Sequence, residues 1–100
     1  MNVYQLQSFV NVAEAGNIKK AAEDAFISRQ AASRAIRTLE EELCFSLFQR
    51  SKGGVRLTAE GEALLPYAKD VLGSFSELSR KAAALSAETR TVLRLNLCNV

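Results

Sequence analysis

"SRQAASRAIRTLEEEL", residues 28–43, decides how this chain is read. Ser28 can cap a helix, because its hydroxyl can accept from the unpaired backbone N–H groups of a first turn. Along the helix Ala32, Ile36, Leu39 and Leu43 form an apolar stripe, while Gln30, Ser33, Arg34 and Arg37 recur at spacings of three and four on a largely opposite stripe. One face is for packing and the other is for hydrogen bonding. Between Arg29 and Thr38 lie three arginines and no acid, and Glu40, Glu41 and Glu42 follow them.

Upstream, Leu6, Phe9, Val10 and Ala13 recur at helical spacing, and Gly16 then Asn17 supply a helix stop and a new N-cap. The first helix therefore ends near residue 15. A short second helix carries Ile18, Ala21, Ala22 and Ala25 on one face, small side chains that admit a close neighbour. Residues 26–28, "FIS", are the turn into the third helix.

Downstream, "LFQR" at 47–50 and "VRLT" at 55–58 are short extended segments joined by "SKGG", which predicts a β-hairpin whose two glycines permit positive φ at the tip. The hairpin carries a second basic island, Arg50, Lys52 and Arg56. Thr58 then caps a long helix with Glu60 in its first turn, favourable against the positive end of the helix dipole. In that helix Leu64, Ala68, Val71, Phe75, Leu78, Ala82 and Leu85 follow a 4-3-4-3-4-3 spacing, an a/d heptad seam. From Ala59 to about Glu88 it spans roughly 45 Å, more than a small domain needs for its own core, so dimerisation through this seam is expected, with ordinary intramolecular core as the other reading. Pro66 is expected to kink it and to separate a domain-packing end from a dimer-packing end. Finally "VLRLNLCNV", residues 92–100, alternates Leu93, Leu95 and Leu97 with Arg94, Asn96 and Cys98, the period of a half-buried strand without an obvious partner.

Composition sets the bounds. One hundred residues suffice for one small domain, and 48% hydrophobic with 24% charged residues is the balance of a chain that folds. A net charge of +2 does not by itself indicate nucleic acid, so the two basic islands carry that argument. Two cysteines and no histidine make a metal site or a disulfide framework a poor fit and suit a reduced cytoplasmic protein. No signal peptide or membrane-length apolar run is visible. An enzyme is set aside, because there is no glycine-rich phosphate loop and no nucleophile with a base partner, and no cofactor is implied.

The stretches "LQSFVNVAEAGNIKKAAEDAFISRQAASRAIRTLEEEL", "LFQRSKGGVRLTAEG" and "LLPYAKDVL" together resemble the N-terminal DNA-binding region of LysR-type transcriptional regulators. The resemblance covers about three quarters of the chain. It implies a mainly α fold: a winged helix-turn-helix over residues 1–58, a linker and dimerisation helix over 59–88, and the start of a truncated effector domain over 89–100. It also implies binding to double-stranded DNA as a homodimer, with a tetramer where a full effector domain is present. Two departures stand out. The family usually has a Gln-Pro pair where this chain has Arg29 and Gln30, and a glycine where this chain has Cys44, so a tighter or displaced turn is expected there.

An α-helix fits the major groove, and small residues on its exposed face allow close approach to base edges. On that expectation Ser28, Arg29, Gln30, Ser33, Arg34 and Arg37 form the recognition surface, with Arg29 suited to guanine, Gln30 to adenine, Ser33 to a tolerant contact, and Arg34 and Arg37 to phosphate. Arg50, Lys52 and Arg56 become wing contacts. Solvated surface charge is the plainer reading of all these residues, and Arg50 also has the option of a salt bridge to an acid of the third or fourth helix. Cys44 is expected to be a small buried hydrophobe, and Tyr4 and Tyr67 to be packing residues. The function expected is sequence-specific binding of a dimer to an interrupted inverted repeat. The alternative is a truncated interaction module that heterodimerises with a full-length regulator through the linker helix.

Overall fold

The computed structural model describes residues 1–97, with side chains described through residue 88. The order is α1 (Val3–Ala15), α2 (Ile18–Asp24), α3 (Arg29–Leu43), β1 (Phe48–Ser51), β2 (Gly54–Leu57) and α4 (Ala59–Leu97). It is a three-helix domain with a two-stranded antiparallel wing and a long helix leading away from it.

Side-chain caps set most of the boundaries. The Asn2 side chain accepts from the Gln5 N–H at 2.8 Å, Asn17 from Lys20 at 2.6 Å, and Ser28 from Ala31 at 3.0 Å, so each of the first three helices begins at a satisfied N-cap. α1 stops at Gly16, whose N–H still bonds the Val12 carbonyl at 2.9 Å and whose φ of 77° turns the following chain out of the helix. Thr58 closes the wing and opens α4 at once: its hydroxyl donates to the Ser46 carbonyl at 2.6 Å and accepts from the Gly61 N–H at 3.0 Å.

The core lies where α1, α3, the wing and the start of α4 converge. Phe9, Leu39 and Leu47 are fully buried, with Leu6, Val10 and Ala68 around them. Each of the leucine, valine and phenylalanine side chains contributes about 1.5–3 kcal/mol relative to exposure. A second cluster of Val12, Ala21 and Ile36 holds α2 to α1 and α3. Phe48 joins the two clusters, its ring edge-on to Phe9 at 5.6 Å between centroids and 72° between planes.

The wing is one residue out of step with the expected strands. Phe48 pairs with Leu57, Arg50 with Val55 and Ser51 with Gly54, leaving Lys52 and Gly53 as a two-residue tip. Only Gly53 there has a positive φ, 86°. Gly54 is needed for a different reason: a Cβ at this position would overlap the Gly16 carbonyl oxygen, which accepts from the Val55 N–H at 3.0 Å. That bond fastens the wing to the α1–α2 turn.

Several expectations are corrected. α4 does not end near Glu88 but continues to Leu97, so residues 92–97 are not a strand. No strand among the described residues pairs with them, and a helix satisfies its backbone groups internally, which outweighs a period-two pattern. Residues 98–100, with Cys98, lie outside the described residues. Pro66 does not mark the change from packed to free helix, because Ala68 is buried and Leu72 also packs against the core. Leu64 and Ala68 thus belong to the domain's own core, whereas Val71, Phe75, Leu78, Ala82 and Leu85 are exposed. Cys44 is exposed rather than buried, and it takes the left-handed C-cap conformation, φ 67°, that glycine favours. Tyr4 and Tyr67 are also exposed, as is Phe26, which has a φ of 60° and is 94% accessible in the α2–α3 turn.

Candidate nucleic-acid interface

α3 projects its polar stripe away from the core because Ala32, Ala35, Ile36 and Leu39 are buried on the opposite side. Ser28, Arg29, Gln30, Arg34 and Arg37 are exposed and Ser33 is half-buried; all six line one open cleft, together with Ile18 of α2. The six residues expected to form the recognition surface are therefore contiguous in space. Ala31 and Ser33, both small, are among its lining residues.

The second basic island is not a single patch. Cross-strand partners share a face, so Arg50 lies with Val55 on the same face as Phe48 and Leu57, which pack against the core. This orientation brings Arg50 to an open depression that it lines with Asn17, Lys19 and Arg29. Arg56 lies on the other face with Gln49 and lines a separate depression beside Glu62. Lys52 is exposed at the wing tip.

None of these five arginines, nor Lys52, forms an ion pair among the described residues, so the salt bridge considered for Arg50 is not formed. Lys20 differs from its neighbour: it pairs with Asp24 at 3.7 Å, while Lys19 is exposed and outside any such pair among the described residues. Lys19 is the basic residue that spacing arguments within α3 and the wing do not reach. Its signal in the sequence is the pair of lysines just after the Asn17 cap, at the end of α2 nearer the wing.

Two glutamates of the acidic run have structural work. The Glu40 carboxylate accepts from the backbone N–H groups of Leu47 and Phe48 at 2.6 and 3.3 Å, and Glu42 pairs with the N-terminal ammonium of Met1. Arg34 reaches a further groove between α1 and α3, which it lines with Tyr4, Gln5 and Thr38. Among the described residues there is no cluster of metal-ligating side chains, and no helix is long and apolar enough to cross a membrane.

Comparison with known proteins agrees with this geometry. Residues 3–62 match the family model described as a bacterial regulatory helix-turn-helix protein of the lysR family. The HTH-type transcriptional regulator HdfR of Escherichia coli (strain SE11) is 35% identical over 86 residues, which are 86% of this chain and 31% of that regulator. The chain thus spans about a third of the length of the curated relatives it matches. Among solved structures, the DNA-binding domain of CbnR in complex with DNA is 35% identical, with a TM-score of 0.78, over 86% of this chain and 99% of that one. The BenM DNA-binding domain in complex with catB site 1 DNA is 31% identical, with a TM-score of 0.80, over 86% of this chain and 96% of that one.

Proposed function

From the premise that this chain belongs to the lysR family of bacterial helix-turn-helix regulators, we propose that it binds double-stranded DNA sequence-specifically, as a homodimer, at an interrupted inverted repeat in promoter DNA. The observation that carries this reading is the exposed polar stripe of α3, whose six residues line one cleft and whose arginines form no ion pair among the described residues. The CbnR and BenM domains, similar over nearly their whole length, are complexed with DNA.

α3 enters the major groove, where Gln30 and Ser33 are suited to base edges and Arg34 and Arg37 to phosphates. Lys52 and Arg56 reach the backbone or minor groove from the wing. Residues 1–58 form the reading unit and residues 59–88 the linker. Two copies pair through Val71, Phe75, Leu78, Ala82 and Leu85, which recur on a heptad pattern and are exposed in the single chain. Such pairing places two α3 helices on one face of the duplex. Regulation of transcription, in the cytoplasm where the chromosome lies, follows from that placement.

The test is selection from a randomised duplex library at near-physiological, fixed salt, because phosphate-driven affinity depends steeply on ionic strength. Enrichment of an inverted repeat is expected. Retention of DNA without an enriched motif would remove the base-reading role and favour a module that heterodimerises with a full-length regulator through the same exposed stripe.

A further inference from the structure

Lys19, Arg29 and Arg50 come from three different elements, α2, α3 and β1, and line one depression that contains no carboxylate. Asn17, Ile18, Gly54 and Val55 complete its lining. All three cations are exposed, and none is neutralised by an ion pair among the described residues. Three cations around one depression without a carboxylate give it a positive potential that favours an anion.

The placement is fixed by the fold. The Val55 N–H bond to the Gly16 carbonyl and the close approach allowed by Gly54 hold the wing against the turn from which Asn17 and Lys19 emerge. Arg29 is the first residue of α3 and lines both this depression and the recognition cleft. It stands at the boundary between them.

We infer that Lys19, Arg29 and Arg50 form a single phosphate-binding notch, which grips the DNA backbone at the edge of the groove entered by α3. The inference rests on the DNA-binding reading and changes the role of Arg29 within it. A guanine edge offers acceptors without a formal charge, whereas a backbone phosphate supplies the negative charge that this depression lacks. Arg29 then positions α3, and the discrimination of bases falls to Gln30 and Ser33. A duplex is the occupant because the notch opens beside the cleft that presents those two residues, and a backbone phosphate flanks any groove they enter.

The experiment is a salt titration of binding to a fluorescent duplex of about 30 base pairs of random sequence, comparing wild type, Lys19→Gln, Arg50→Gln and the double variant. All positions are exposed, and thermal melts confirm that each variant folds. The notch predicts that Lys19→Gln and Arg50→Gln each weaken binding, that the slope of log K against log salt falls by no more than about 0.9 per bound chain even in the double variant, since a single phosphate is at stake, and that the two single losses are not additive. Unchanged affinity of Lys19→Gln, strictly additive losses, or a slope that falls by about 0.9 in each single variant, as for separate phosphates, would overturn it. Arg29→Lys gives an independent readout: in library selection it should leave the preferred sequence unchanged, since charge is kept. A changed base preference at one position would assign Arg29 to base reading and refute the notch. If wild type itself bound no duplex, the DNA-binding proposal would fail and the notch with it, a result distinct from failure of the variants alone.

Discussion

Glu40 places one carboxylate oxygen 2.6 Å from the backbone nitrogen of Leu47, so α3 supplies the cap for the residue that leads into the wing. The same oxygen lies 3.3 Å from the Phe48 nitrogen. A side chain that counts as acidic charge in the sequence is thus a link between α3 and the hairpin. Glu40→Ala leaves two part-buried N–H groups without this acceptor and should destabilise the domain by about 1–3 kcal/mol. Urea unfolding followed by circular dichroism measures this, and Glu40→Gln should recover part of the loss because its amide oxygen can still accept. Equal stability of Glu40→Ala and wild type would contradict the linking role.

Cys44 occupies a left-handed backbone position without being glycine. A left-handed conformation costs a non-glycine residue about 1–2 kcal/mol, part of which glycine gives back through its greater freedom when unfolded. Cys44→Gly should therefore stabilise the domain by about 0.5–1 kcal/mol, visible as a higher urea midpoint with an unchanged m-value. Because the thiol is exposed, no packing is lost in the exchange.

Gly54→Ala introduces a Cβ into the space of the Gly16 carbonyl oxygen. The wing must then move away from the α1–α2 turn, at a cost of about 1–3 kcal/mol for overpacking. Weaker DNA binding should accompany the loss of stability, since Arg50 moves with the strand. Gly53→Asn, at the tip with an open surrounding, should be far milder, because asparagine tolerates positive φ. Similar effects at the two glycines would mean that the close approach at Gly54 is unimportant.

Leu78 is 67% exposed, so Leu78→Asp has little monomer packing to lose. In sedimentation experiments it should convert a self-associating chain to a monomer with an unchanged circular dichroism spectrum. Ala68→Asp serves as the contrast: it places a charge in the core and should unfold the domain instead. Undisturbed association of Leu78→Asp would remove α4 from the proposed dimer contact.

Much of this architecture is legible in the sequence because its signals are local. Asn17, Ser28 and Thr58 cap helices where their neighbours suggest, and the apolar spacing in α3 correctly separates its packed side from its polar one. What escaped depends on distant partners. Alternating leucines at 93, 95 and 97 satisfy the strand period, yet the backbone is helical through Leu97, and periodicity alone does not reveal whether a partner strand exists. The heptad pattern from Leu64 to Leu85 is continuous in sequence but divided in space, because α1 covers Ala68 and leaves Leu78 uncovered. Lys19 and Arg29 are ten positions apart, and only the docking of the wing beside the α1–α2 turn brings Arg50 to both.

α4 contacts the core through Leu72 and presents Phe75 to solvent less than one turn later, with no non-helical residue between them. Mechanically this makes the helix a lever without slack: no break separates the distal stripe from the stretch packed against the domain. In the proposed pair joined by that stripe, helix length would set the phase of the two α3 helices along the duplex. One residue inserted after Gly73 would turn the distal stripe by about 100° and advance it by about 1.5 Å. Such a chain would keep its reading surface intact and still lose its grip on a correctly spaced site.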